Sequence, residues 1–308
     1  MSLARTALFV KRAVGGLFAV EDMAVTTGAR IFVHSGTGTD AAGYGTGPDK
    51  PVATLDYAIG LCTASKGDVV YLMPGHAEAL IAAATLTMDV IGVQVIGLGT
   101  GRLKPQISIT TATTATWNVT AANCLIKNVD IISNFLDIAA AMTVGTAADG
   151  LTLDEVNFYD TSVILGSLIG ISVAATVSDI TVKNCNYYGI ALTAPATNCI
   201  LCAGAVDRLR IKNCYFKGDF SGAVVDALTA KSLDIVLQDI LEVNMSETGG
   251  GIQVKSDSTG MADNVQAYLE DHTGNEKAIV GAALAMTDRV RQTNVVTAST
   301  FLCLTADS

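Results

Sequence analysis

Hydrophobic positions recur along the middle of the chain as a hexapeptide. Five segments align without gaps: C-L-I-K-N-V from Cys124, L-T-L-D-E-V from Leu151, I-T-V-K-N-C from Ile180, L-R-I-K-N-C from Leu209 and I-V-L-Q-D-I from Ile235. Their starts are 27, 29, 29 and 26 residues apart, and a weaker copy, V-Q-V-I-G-L from Val93, lies 31 residues upstream of the first. Positions one, three and six are apolar in all five. Side chains alternate along a strand, so positions one and three share a face. The jump from three to six breaks that alternation and predicts a bend at position five, occupied by Asn128, Glu155, Asn184, Asn213 and Asp239. Asparagine suits a bend because it tolerates left-handed backbone angles and its amide can bond to nearby backbone.

Two further short β-rich stretches fall between copies, such as 135–138 with 142–144, or 190–192 with 199–202. Three strands per repeat describe one coil of a parallel solenoid, with coils stacked about 4.8 Å apart. Equivalent side chains then form ladders: Asn128, Asn184 and Asn213 on the corner, Cys185 under Cys214, and an aliphatic series from Val129 to Ile240. A helical repeat would need good helix formers at helical spacing, whereas Thr, Val, Ile and Asn dominate. A β-sandwich gives no reason for a recurring K-N-C. The expected fold class is therefore all-β.

The ends depart from this pattern. Residues 1–30 read as an apolar, basic docking arm, with Leu8, Phe9, Lys11, Arg12 and Phe18 as the candidate contacts. Residues 31–245 are assigned to the solenoid. Within them 51–62 reads as a capping helix, because Leu55, Ala58, Ile59 and Cys62 make an i, i+3, i+4, i+7 apolar face. Beyond Glu242 the ladder is expected to stop. Residues 246–308 then form a C-terminal cap and oligomer-contact region, with a strand at 265–269 and a helix within 278–286.

Composition narrows the function classes. Half of the 308 residues are apolar, 16% are charged and the formal net charge is −10. An acidic chain is poorly suited to nucleic acid or an anionic membrane, and no apolar run reaches the length of a membrane span. The seven cysteines show no evident pairing, and C-I-L-C at Cys199–Cys202 lies in an apolar run, so buried, reduced thiols are expected. His34, His76 and His272 are too scattered for a metal-ligand cluster, and His76 reads as a hydrogen-bonded turn histidine beside Glu78. The glycine-rich run 36–47 lacks a P-loop ending and reads as a surface loop. No cofactor, metal or catalytic residue is assigned. Asp154 and Glu155, with Asp130, Asp160 and Asp179 on neighbouring coils, are the nearest approach to a carboxylate site. Position four (Lys127, Asp154, Lys183, Lys212, Gln238) reads instead as a solvated face with cross-strand charge pairing. Tyr159, Tyr187, Tyr188, Tyr215 and Phe216 follow position six of successive copies and suggest an aromatic patch for a subunit, a loop or a glycan.

The stretch G-T-G-P-D-K-P-V-A-T-L-D-Y-A-I-G, followed by K-G-D-V-V-Y-L-M-P-G-H-A-E, resembles the opening of right-handed parallel β-helices of the pectin-lyase-like superfamily. The wording is similar to that of β-helix proteins of tailed-bacteriophage virions, including head decoration proteins, head fibres and tailspikes. That resemblance implies a homotrimer on the capsid surface, assembled in the host cytoplasm and bound to the major capsid protein or another virion protein. Without a convincing acid cluster, a non-enzymatic capsid decoration protein is the expectation. A tailspike-type polysaccharide lyase, depolymerase or glycan-binding β-helix is the alternative.

Overall fold

The computed structural model describes residues 28–190, 196–246 and 248–269, with short strands at 11–13, 16–18, 279–280, 284–286, 291–294 and 302–303. Its body is a parallel β-solenoid. One column of strands runs Val69–Leu72, Gln94–Gly97, Leu125–Lys127, Thr152–Asp154 and Thr181–Lys183. A second column runs Ala77–Leu80, Gln106–Ile109, Asp130–Ser133, Asn157–Asp160 and Asn186–Tyr188. Further along, the two strands of a coil merge into single bent strands, Arg210–Gly218, Ile235–Asn244 and Gly260–Leu269. A third column forms a separate sheet from Leu86–Met88 through Trp117–Val119 and Met142–Val144 to Gly250–Val254 and Ile279–Val280.

The bend is made at position five. Asn128, Glu155, Asn184, Asn213 and Asp239 all have φ between 51° and 59°, the left-handed region. The turn lets position six point inward again: Val129, Val156, Cys185, Cys214 and Ile240 are buried, as are positions one and three of each copy. Glu155 is the least suited of the five, since Asn and Asp visit left-handed backbone angles more readily than other side chains. Replacing it by asparagine is expected to raise stability by up to about 1 kcal/mol. A denaturant midpoint that falls instead would mean that its 3.9 Å ion pair with Lys127 outweighs the backbone term.

Stacking continues past residue 245. Gly260–Leu269 pairs in register with Ile235–Asn244, and Asn264 has φ 51° at the position of Asp239. This copy is hidden in the sequence because glycine fills position one. Gly260 has φ 151°, and a Cβ there would run into the Ile235 carbonyl. Where a helix was expected within 278–286, the described residues Ile279–Val280 and Leu284–Met286 are strands added to the existing columns.

The helix near the N-terminal end is shorter than expected, Leu55–Gly60. Residues 51–54 stay extended because Val52 exchanges backbone bonds with Phe32 and His34. Leu55, Ala58 and Ile59 are buried against the first coils, and Cys62 packs beside them half-buried. Two carboxylates occupy the first turn. Asp40 accepts from the Ala53 and Thr54 N–H groups at 2.7 and 3.1 Å, and Glu78 accepts from Leu55 N–H at 2.8 Å. Asp40 belongs to the glycine-rich loop, which therefore folds back on the start of the helix.

Lys11, Arg12 and Phe18 fall on an antiparallel strand pair, Lys11–Ala13 with Gly16–Phe18. Leu8 and Phe9 lie outside the described residues.

Candidate functional site

At the corner where the first two columns meet, polar side chains form two hydrogen-bonded ladders. On the bend itself, Asn213 Nδ2 donates to Asn184 Oδ1 at 2.8 Å, and Asn184 Nδ2 donates to Asp154 Oδ1 at 2.7 Å. Asp154 closes this ladder between two lysines, Lys127 at 3.1 Å and Lys183 at 3.5 Å. Two residues further along each coil runs a second ladder. Asn186 donates to Asn157 at 2.8 Å, Asn157 donates to Asp130 at 2.9 Å, and Lys104 pairs with Asp130 at 2.7 Å. Both ladders point their amide donors the same way along the axis and end on a lysine-neutralised carboxylate. Bonds aligned head to tail polarise one another, so the anchoring charge strengthens the whole row.

Asn128 does not join the amide ladder. Its Nδ2 donates to the Gly97 and Gly99 carbonyls at 2.9 and 3.0 Å and ties down the wider turn of the preceding coil. Glu155 interrupts the row between Asn128 and Asn184. A third, short segment, Asn264 to Asp239 at 2.7 Å, follows beyond Asn213. Cys185 and Cys214 are buried one above the other at the next position, and each thiol donates to the lysine carbonyl two residues before it.

The five candidate acids are each held in a different way. The cross-strand charge pairing expected at position four is made, Asp154 lying between Lys127 and Lys183, but Asp154 itself is only 6% exposed rather than solvated. The lysine stems fold over it. Burial alone would push its carboxyl up, but the Asn184 amide and the two lysines hold it below the ordinary range. Asp130 is buried by Lys104 and Asn157. Asp179 is exposed and makes a bidentate pair with Arg208 at 2.6 and 2.7 Å, which lowers its carboxyl. Glu155 is half exposed.

Asp160 is different, and its surroundings were not legible from the repeat. It lies under the loop 161–166, where Tyr187 OH approaches both oxygens at 3.2 and 3.3 Å and Ser167 N–H bonds at 3.3 Å. Burial pushes its carboxyl up to about 7 against these bonds. A carboxyl of this kind can exchange a proton near neutrality. Tyr187 is fully buried, however, and Ser167 is 1% exposed, so the group is closed to a large substrate.

Outside the ladders lies a shallow cleft of about 600 Å³ lined by Asn184, Asn213, Tyr215, Asp239, Asn264 and Gln266. Beside it Tyr159 stacks on Tyr188 with centroids 5.1 Å apart, and Tyr188 meets Tyr215 at 6.0 Å and 57°. The aromatic patch divides in two, because Tyr187 and Phe216 point into the core. The outer tyrosines use their ring faces on one another.

The Cys199 and Cys202 thiols are buried and free; burial pushes both up, Cys202 to about 12. His76 is fully buried; its Nδ1 accepts from Ser35 N–H at 3.1 Å, and its Nε2 lies 3.2 Å from Glu78. No grouping of three or more potential metal ligands occurs among the described residues. No described helix is long and apolar enough to cross a membrane.

No protein-family model matches the chain, and no curated protein is detectably similar to it. Among solved structures it is similar to a rhamnogalacturonan lyase, with a TM-score of 0.60 and 15% identity over 79% of this chain and 69% of that one. Weaker similarities are to a pectin methylesterase from Aspergillus niger (TM-score 0.48, 13% identity, 89% of this chain and 88% of that one) and to a lacto-N-biosidase from Eubacterium ramulus (TM-score 0.42, 10% identity, 84% and 67%). The first similarity, with the strand topology, establishes a parallel β-helix fold. At such identity it establishes the fold alone.

Proposed function

We propose that the protein is a non-enzymatic structural component of a tailed-bacteriophage virion, a capsid decoration protein that presents its solenoid as a rigid surface. The observation that carries the non-enzymatic part is the commitment of Asp154 and Asp130, each fixed between lysine and an amide ladder. A hydrolytic pair needs two carboxyl groups about 5–10 Å apart, one free to give a proton and one free to attack or activate water. These two are occupied in holding coils together. The virion part rests on the resemblance of the first-coil sequence to phage β-helix proteins. In this reading the chain forms a homotrimer on the head surface after assembly in the host cytoplasm. The arm 1–30, with Leu8, Phe9, Lys11, Arg12 and Phe18, grips the major capsid protein, and three-fold attachment multiplies a modest single contact.

The test is co-sedimentation of the purified full-length chain with expanded phage heads, alongside light scattering for its mass. Binding that disappears on deletion of residues 1–30, with a particle three times 31.8 kDa, is the expected result. A monomer that ignores capsids would overturn the proposal.

One observation favours a second reading, recognition or cleavage of a glycan. The corner cleft combines amides with tyrosine hydroxyls, and the chain shares its fold with a rhamnogalacturonan lyase. Incubation with acidic and capsular polysaccharides, with and without calcium, separates the two. Product release supports this second reading over the first.

A further inference from the structure

The inner side chains of the second column stack in a continuous row: Glu78, Ile107, Ile131, Phe158, Tyr187, Phe216, Glu242 and Ala267. Apolar and aromatic residues fill its middle, and a carboxyl stands near each end. The two acids are treated differently. Glu78 accepts from Leu55 N–H and sits beside His76. Glu242 is 0% exposed, and neither of its oxygens has a hydrogen-bond partner.

Among the described residues its neighbours offer no counter-charge. The strands packed around it turn Phe216, Val265, Ala267, Ile252 and Val225 to the core. The titratable groups on the inner side are the thiols of Cys199 and Cys214, with Tyr187 two coils away beyond Phe216 and Asp160 three. The charged residues on these strands, Arg210, Lys212, Lys217, Asp226, Asp239 and Asp263, are all at least partly exposed, and no lysine or arginine is buried among the described residues. An ionised carboxylate in that setting would carry a desolvation cost of several kcal/mol with nothing to offset it.

We propose that Glu242 is a pH-sensitive latch on the C-terminal coils, which stay closed while its carboxyl keeps a proton and open as it ionises. Burial also drives the carboxyl well above the usual range, and the Ile252 N–H that opposes this makes no hydrogen bond to either oxygen. The sign follows from proton counting. Between the ordinary carboxylate range and the raised value, the closed state holds a proton that the open state has released. Rising pH therefore favours opening, by up to tenfold per pH unit. Below that interval the effect is absent.

The experiment compares the wild-type chain with Glu242→Gln and Glu242→Leu between pH 5 and pH 9. Denaturant midpoints are measured, together with hydrogen exchange of strands Ile235–Asn244, Gly250–Val254 and Gly260–Leu269. The wild-type midpoint should fall with pH relative to both variants, and protection of these three strands should fall up to tenfold per pH unit relative to them. Protection of Gln106–Ile109 and Asp130–Ser133 should track the variants. Asp160 titrates in all three proteins and cancels in the comparison. Glu242→Leu, which continues the apolar row, keeps the test decisive if the glutamine variant folds poorly. Parallel pH profiles for wild type and variants, or a midpoint that rises with pH relative to them, would overturn the proposal.

Discussion

Replacing Asn244 by alanine is expected to cost about 3–5 kcal/mol, near the limit for one substitution. Its side chain is wholly buried and fully used. Oδ1 accepts from the N–H groups of Phe220 and Ser246 at 3.0 and 3.1 Å, and Nδ2 donates to the carbonyls of Phe220 and Gly250 at 3.0 and 2.9 Å. One amide therefore serves four main-chain groups where the bent strand of one coil leads into the third column of the next. Alanine leaves all four without a partner in a site that is 0% exposed. Each orphaned group costs about 1–3 kcal/mol, and partial relaxation keeps the sum below four times that. Aspartate keeps the acceptors but sets a carboxylate against two carbonyls, so it should be at least as damaging at neutral pH and recover somewhat in acid. Chemical denaturation measures both, and a loss under 1 kcal/mol for alanine would mean that water replaces the amide.

The second large effect is expected at Asp154. Its neutral isostere, introduced as Asp154→Asn, leaves Lys127 and Lys183 facing each other without the charge between them, and weakens the Asn184 and Asn213 row that ends there. A loss of about 1–3 kcal/mol follows, the range for hydrogen bonds to a charged group and its partly buried ion pairs. The folded-state carboxyl lies below its ordinary range, so this contribution is present above that range and is lost as pH falls through the lowered value. The difference between wild type and Asp154→Asn should therefore shrink in acid. Asp130→Asn should act on the second ladder, and because Lys104 and Lys127 both contact Glu155, the double variant measures how far the two rows are coupled.

What the sequence carries and what it hides divide along physical lines. The bend was legible because apolar positions one, three and six can all face inward only if the chain turns at five. The left-handed φ of Asn184 and Asn213 follows from that constraint. The second ladder was not legible. Its positions, Asp130, Asn157 and Asn186, give way to Tyr215 and Leu241, so no residue type recurs long enough to mark it. Asn244 lies outside the hexapeptide and satisfies main chain from another column, a contact without a sequence spacing of its own. Within 278–286, where a helix was expected, Ile279–Val280 and Leu284–Met286 follow their parallel neighbours instead. Position four was legible in its charge pairing but not in the burial of Asp154. Outward residues are normally wet, but long lysine stems on adjacent coils cover Asp154.

Corner acids that hold coils together and do no chemistry differ measurably from acids kept for a reaction. Catalytic residues are kept at a cost to stability, so neutralising one typically stabilises its protein, whereas removing a structural anchor weakens it. The unfolding free energy of Asp154→Asn and Asp130→Asn at neutral pH reads the difference by its sign. Destabilisation of both variants is the predicted result; a gain in stability for either would identify that carboxylate as one retained for a reaction.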